Sequence, residues 1–226
     1  MAEACLEHGA MVYITSSDEK RVQAAVAKLQ EAYPSKKDNI KGYACDLGSE
    51  DLENNFIELF KKVGDVEHVT WSAADKLAVM PIQDMSLSKI RKAGQLRYFA
   101  PLLLAKYLPK STESFTITSA VVAWLPREDW AIVSGYAAAM QGMARNLALD
   151  LAPLRVNCVG LGLVDTELWK DMSDEARQQM YVATAKTVLT GRVGKVSDVV
   201  EGYLAFMKDE NVTGALYETD GGRALL

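Results

Sequence analysis

Arg97, Ser119, Arg127, Asp129 and Trp130 are the side chains whose types and placement suit polar chemistry on a small molecule. Ser119 closes an apolar run, 115–119. Its hydroxyl either donates to a substrate oxygen or caps the end of the run. Arg97 sits among Leu96, Phe99, Leu102 and Leu103. A guanidinium keeps its charge at any working pH, and its donors can polarise a carbonyl oxygen or grip a phosphate. The plainer reading is a charge that snorkels to the surface or joins an interface ion pair. Arg127, Asp129 and Trp130 share the stretch 126–130. Charged loop residues are ordinarily solvated. Trp130 either plugs the core or forms an aromatic wall for a flat substrate.

Those residues need a frame. The run 115–119 reads as a strand, 131–152 as a long alanine-rich helix, and 155–159 as a second strand. That strand stops at Gly160-Leu161-Gly162, and Val164-Asp165-Thr166 follow. Strand, helix and parallel strand make a βαβ unit, and ligands bind beyond the carboxyl ends of such strands. The rest of the chain repeats the alternation. A helix over 1–8 ends at Gly9, and a strand over 10–15 leads to the cap oxygens of Ser16-Ser17-Asp18 and a helix over 19–33. A polar loop at 34–39 precedes a strand over 40–45, and Ser49 is expected to cap a helix to 63. A strand over 67–72, a loop over 75–84 and a helix from Ser86 or Ser88 to 108 come next. Past the central unit, 168–189 reads as two short helical pieces forming a flap. Ser197 is expected to cap a helix to 207, and 214–219 is the last strand. The class is α/β, a Rossmann-like doubly wound parallel sheet, read as one domain over 1–226.

Bulk properties narrow the function. The chain has 226 residues, 49% hydrophobic and 24% charged, which suits one α/β domain with a real core. A net charge of −5 lacks the basic footprint of a nucleic-acid binder. Cys5, Cys45 and Cys158 are far apart in apolar segments, as reduced cytoplasmic thiols are. His8 and His68 have no metal-ligand partner in sequence, so no metal site is expected. No apolar run is long enough to span a bilayer.

The order of elements, with Arg155-Val156-Asn157, Gly191-Arg192-Val193-Gly194 before Asp198, and Thr213-Gly214 before Asp220-Gly221-Gly222, resembles the short-chain dehydrogenase/reductase family over essentially the whole chain. The resemblance implies a nicotinamide cofactor and a small-molecule substrate. It makes Asp46-Leu47 the adenine contact and Thr166 the contact to the nicotinamide carboxamide. Ser16 and Ser17 end the strand where an NAD-selective site carries a carboxylate, with Lys20 and Arg21 just behind, so NADP is the expected cofactor. The family pairs subunits through its two long helices, here 88–108 and 131–152, which implies a homodimer or homotetramer.

The departures are equally informative. The family's first strand and its Gly-rich, pyrophosphate-binding turn would lie before Met1 and are expected to be missing from this chain. Cofactor binding is therefore expected of a form that carries that turn. A start site placed inside a longer coding sequence is the reading favoured here, over a degenerate relic. The turn expected as Asn-Asn-Ala-Gly reads Trp71-Ser72-Ala73-Ala74. The family's acid is a Tyr with a Lys four residues on, which lowers the Tyr pKa. Counting back from Arg155-Val156-Asn157 puts those positions at Val133 and Ala137, and no lysine lies between Lys110 and Lys170. Tyr136 is one turn along the helix, with Met140 at i+4. Ser119 matches the family Ser, and Arg97 stands at the Asn of its proton relay.

Arg at that Asn position, no Tyr–Lys pair and a Pro126-to-Trp130 loop look like a divergent fungal branch of the family. That branch includes bifunctional reductase and Diels–Alder enzymes of bicyclic diazaoctane indole alkaloids. There the loop reads roughly Pro-Asp-Pro-Gly-Trp. Here Arg127 stands at the Asp position and Asp129 lies two residues later. The resemblance implies hydride delivery to an iminium, which needs no proton from a Tyr. A redox-neutral cyclase and an inactive relic are the alternatives.

Overall fold

The computed structural model describes residues 1–226, and strands alternate with helices along their whole length. Contacts gather them into two compact units, Met1–Glu67 with Phe99–Thr112, and His68–Tyr98 with Glu113–Leu226.

The first unit opens with α1 (Ala2–Glu7) and holds a two-stranded parallel sheet. β1 (Val12–Ser16) and β2 (Ile40–Ala44) pair with Val12 opposite Ile40 and Ser16 opposite Ala44. Between them α2 (Glu19–Ala32) is started by Asp18, whose carboxylate accepts from the Arg21 amide at 2.8 Å. Val22, Val26 and Leu29 line one face of α2 and bury against Leu6 and Ile40. Gly42 permits that approach. A Cβ there would stand 2.4 Å from Val22 Cγ1 and 2.7 Å from Val26 Cγ2. The stretch expected to be a loop at 34–39 is a 3-10 helix, Pro34–Asn39. α3 (Leu52–Val63) has Asp51 at its N-cap, not Ser49. The Ser49 hydroxyl instead accepts from the Asp51 amide at 3.1 Å and folds the turn before the helix.

The second unit carries a four-stranded parallel sheet in the order β3 (His68–Trp71), β4 (Ser114–Ala120), β5 (Arg155–Leu161) and β6 (Leu216–Thr219). Phe115, Ile117, Val156 and Val159 are wholly buried, as central parallel strands covered on both faces require. β5 runs two residues past its expected end, because Gly160 and Leu161 stay in register with Ser119 and Ala120.

The helix expected from Ser86 to 108 is not one α-helix. Ser86 starts α4 (Leu87–Gly94), a π-helical turn follows at Gln95–Phe99, and α5 (Ala100–Leu104) continues. Pro101 explains the break. It has no N–H to give to the carbonyl four residues back, that of Arg97, and its ring crowds that carbonyl, so the turn widens. Arg97 is thereby carried on a widened turn.

α6 (Ala131–Asp150) connects β4 to β5, and α7 (Asp174–Ala185) lies in the expected flap. At α8 (Val196–Lys208) the capping oxygen is not that of Ser197. The Asp198 carboxylate accepts from the Lys195 amide at 2.8 Å and pairs with Arg192 at 2.6 Å. The Arg155-Val156-Asn157 run pins the far end of α8. Arg155 donates to the carbonyls of Phe206, Asp209 and Met207 at 2.6, 2.9 and 3.2 Å, a cation at a helix C-terminus. Asn157 donates to Val212 O and accepts from Ala215 N, both at 3.0 Å, fixing the turn into β6.

Candidate active site

All four strands of the second unit point their carboxyl ends the same way. Four connections leave that edge: 72–86 after β3, 121–130 after β4, 162–173 after β5 and 220–226 after β6. Arg97, Ser119, Arg127, Asp129, Trp130 and Thr166 all belong to this unit. Ser16, Ser17, Asp46 and Leu47 belong to the first.

The Ser119 hydroxyl is engaged by α6 in this structure. The hydroxyl is buried and donates to Ala137 O at 2.7 Å, while Gln141 Nε2 donates to it at 3.2 Å. A hydroxyl has one proton, and this one serves α6 instead of the open edge.

The positions where the Tyr and Lys would stand are filled by carbon. Val133 and Ala137 are buried with Val122, and Leu77, Ala120, Ala123 and Trp130 pack around them. Tyr136 does not replace the acid. Its hydroxyl donates to Ile90 O at 3.0 Å, and burial raises its pKa.

Arg97 neither snorkels nor waits for another chain. Its Nη2 donates to Asp75 O at 2.5 Å, and its Nε lies 3.3 Å from Asp75 Oδ1. That ion pair is not aligned as a hydrogen bond, so Nε–H and Oδ1 are both buried without a hydrogen-bond partner. Burial lowers the Arg97 pKa and the Asp75 carboxylate works against that, so the group remains a cation. The side chain is 18% exposed.

The 126–130 loop has its own order. Arg127 lies over the Trp130 ring, 5.1 Å from its centroid, a cation–π contact. Asp129 is the non-glycine residue with a left-handed backbone, φ 64°, and its carbonyl accepts from the Met80 amide at 3.0 Å. The side chains of Arg127 and Asp129 are exposed. Trp130 is half-buried against the Val122–Val133–Ala137 cluster, so at least part of its ring is packing.

After β5, Val164 bridges to Gly194, and the exposed Thr166 caps a short turn by accepting from the Leu168 amide at 3.4 Å. Thr166 lines an open cavity of about 860 Å³ with Asp165, Lys170, Arg177 and Tyr181 among its walls. Tyr181 of α7 donates to Asp165 Oδ1 at 2.7 Å. Desolvation, helped by that carboxylate, pushes its phenol up to about 12.

In the first unit Ser17 ends the β1 connection with its hydroxyl accepting from Arg21 Nη2 at 2.9 Å. Ser16 is half-buried at the end of β1. Asp46 folds its carboxylate onto the Gly48 amide at 3.0 Å, and Leu47 beside it is half-buried.

Sequence reasoning passed over Asp75, Gln141 and the Asp165–Tyr181 pair. In the sequence Asp75 is only the first residue of the loop over 75–84. Its position four residues beyond the end of β3 was the one available signal.

A family model described as an SDR-like Rossmann domain matches residues 1–226. The short-chain dehydrogenase/reductase fsr5 of Gibberella fujikuroi is 40% identical over 237 residues, covering 100% of this chain and 89% of that protein. The structure of the MalC reductase/Diels–Alderase from Malbranchea aurantiaca superposes with a TM-score of 0.92 at 35% identity, over 100% of this chain and 91% of that one. A small-chain dehydrogenase in complex with NADPH shares the fold, with a TM-score of 0.77 at 24% identity over 96% of this chain and 100% of that one. Of this chain's helices, none is long and apolar enough to cross a membrane. With a family model matching residues 1–226 and a relative at 40% identity over 100% of this chain and 89% of its own length, this chain belongs to the short-chain dehydrogenase/reductase family.

Proposed function

We propose that residues 1–226 form one domain of an NADPH-dependent reductase that acts on a substrate already activated, an iminium or close equivalent, in fungal alkaloid-type secondary metabolism. The observation that carries this reading is the replacement of the proton-donating pair by buried Val133 and Ala137, together with a cation, Arg97, at the position of the family's relay Asn. A ketone needs a proton on its oxygen as hydride arrives, and neither a phenol nor an ammonium is available at those positions. An iminium carbon accepts hydride and becomes a neutral amine, so no donor is required there.

The residues of the first unit fit a phosphorylated ribose. Arg21 is held at the end of β1 by Ser17, while the two nearby carboxylates are engaged elsewhere, Asp18 by the Arg21 amide and Glu19 by Gln23 Nε2. In the first unit Ser16, Ser17 and Arg21 would hold the 2′-phosphate and Asp46 and Leu47 the adenine; in the second, the family position of the carboxamide contact is Thr166. NADPH would supply hydride when bound, as the nucleotide held by the small-chain dehydrogenase of the same fold suggests. Arg97 polarises an oxygen of substrate or cofactor, and Trp130 with Arg127 stacked on it gives the substrate a flat wall. A homodimer or homotetramer through α4 and α6 belongs to the same reading. An apolar hollow of about 340 Å³ lies on those helices, lined by Ile90, Tyr98, Ile132 and Tyr136.

The test is NADPH oxidation with a panel of cyclic imines, 3,4-dihydroisoquinoline included, against matched cyclic ketones. Imines should be consumed and ketones left. Ketone reduction as fast as imine reduction, or NADPH binding with no imine turnover, would overturn the proposal. A redox-neutral cyclisation is the second reading, favoured by the MalC superposition. It predicts product formation from a diene–dienophile substrate without NADPH consumption.

A further inference from the structure

The connection after β3 touches more of the site than any residue expected to do chemistry. Leu77 packs on the Val122–Val133–Ala137 cluster. The Met80 amide donates to Asp129 O at 3.0 Å and fixes the 126–130 loop. Lys76 reaches Asp171 of the flap at 3.6 Å, though both groups are well exposed and the pair is weak. Asp75 takes Arg97 by two of its groups at once, main-chain carbonyl and carboxylate.

That double grip is unusual in its economy. One residue supplies both oxygens, so the plane of the guanidinium is set by the backbone path at Asp75. Asp75 lies 22 residues before Arg97 in sequence, on a strand-end connection, while Arg97 stands on the π turn that Pro101 imposes. Neither element would aim the cation by itself. A π turn loosens the register of the helix, and a long arginine has several rotatable bonds. Of the five N–H donors on the guanidinium, the Asp75 carbonyl takes one in a hydrogen bond. Nε–H points at Oδ1 without alignment, and both atoms are cut off from solvent. A rearrangement that brings a ligand oxygen to the guanidinium can therefore improve bonds that the free chain leaves poor.

We propose that Asp75 is the positioning residue of Arg97: it holds the guanidinium at the carboxyl edge of the sheet, ready for a substrate or cofactor oxygen. This rests on the reductase reading for its consequence, but not for its geometry. Asp75 acts through Arg97 and does not itself touch the substrate.

Two measurements on the full chain test it. In proton–nitrogen correlation spectra, the Arg97 Nε–H signal, assigned with Arg97→Lys, should exchange slowly with water. Asp75→Asn keeps the main-chain carbonyl but removes the counter-charge that holds the cation in its buried position, so the guanidinium should turn toward water and Nε–H exchange faster, with Asp75→Glu restoring part of the protection. Equal exchange in wild type and Asp75→Asn overturns the proposal, whether or not NADPH binds.

The second is a double-mutant cycle on imine reduction with NADPH. Asp75→Asn and Arg97→Ala should each lower kcat/KM by roughly tenfold or more, the worth of a charge-assisted contact. The double variant should be no worse than Arg97→Ala alone. Losses that multiply would show Asp75 acting through the loop instead, and would sink the idea. Unchanged thermal midpoints across the set exclude a folding effect. If wild type turns over no imine, the reductase reading falls, and the exchange experiment alone decides the role of Asp75.

Discussion

Replacing Asn157 by leucine is a demanding test of the packing described above. The side chain is wholly buried in β5 and makes two bonds to main chain, donating to Val212 O and accepting from Ala215 N. Leucine has nearly the same shape and can make neither. Two main-chain groups then lose their partners in a dry site, at about 1–3 kcal/mol each. Extra apolar burial offsets part of this, which leaves a net loss of about 3 kcal/mol. In a domain of this size that lowers the melting midpoint by roughly 6–12 °C. Calorimetry reads the midpoint, and hydrogen exchange at the Ala215 amide locates the damage. The reasoning is refuted if the midpoint moves by less than about 2 °C. It is refuted equally if the midpoint falls while the Ala215 amide stays as protected as in the wild type.

Three further outcomes follow from the same coordinates. Restoring the family pair as Val133→Tyr with Ala137→Lys should not create a ketone reductase. The site is filled by Val122, Leu77 and Trp130, so overpacking should cost about 1–3 kcal/mol, read as a lower melting midpoint. Efficient ketone turnover by that variant would contradict this. Arg192 and the Lys195 amide hold the Asp198 carboxyl down at about 2, below its unfolded value near 4. Its stabilising effect is therefore complete above the unfolded pKa and fades as pH falls through the folded one. Melting midpoints of wild type and Asp198→Asn should differ at neutral pH and converge near pH 2, and a constant difference would count against the ion pair. Finally, burial pushes the Cys158 thiol up to about 12. A thiol reagent at neutral pH should leave it unmodified in the native chain and label it after unfolding, as mass spectrometry would show.

Strands and long helices were legible because their apolar periodicity is local. The run 115–119 could only be a buried strand, and α6 is a helix with small residues at helical spacing. The widened turn at Gln95–Phe99 was not read, although Pro101 announces it, because leucines continue at helical spacing through the break. Ser119 was placed correctly at its strand end, but its partner is a carbonyl of α6, 18 residues away. Arg97 and Asp75 come from different elements, and no local rule joins them. The Arg155-Val156-Asn157 signature was useful as a landmark. Its work, holding the last turn of α8 and the entry to β6, depends on main-chain carbonyls and an amide some 50 to 60 residues downstream.

The loop from Pro126 to Trp130 is built so that its route and its chemistry are separable. Main-chain bonds fix the route: Asp129 O to the Met80 amide, and Trp130 N to Arg127 O at 3.3 Å. The side chains at 127, 128 and 129 are exposed. Residue exchange at 127 or 128 therefore changes the charge the loop presents while leaving its course intact. Position 129 is more restricted, since its left-handed backbone favours Asp, Asn or Gly. Such a segment lets its surface chemistry change step by step without passing through an unfolded intermediate. An arginine in place of an aspartate at 127 is the kind of change that this architecture absorbs.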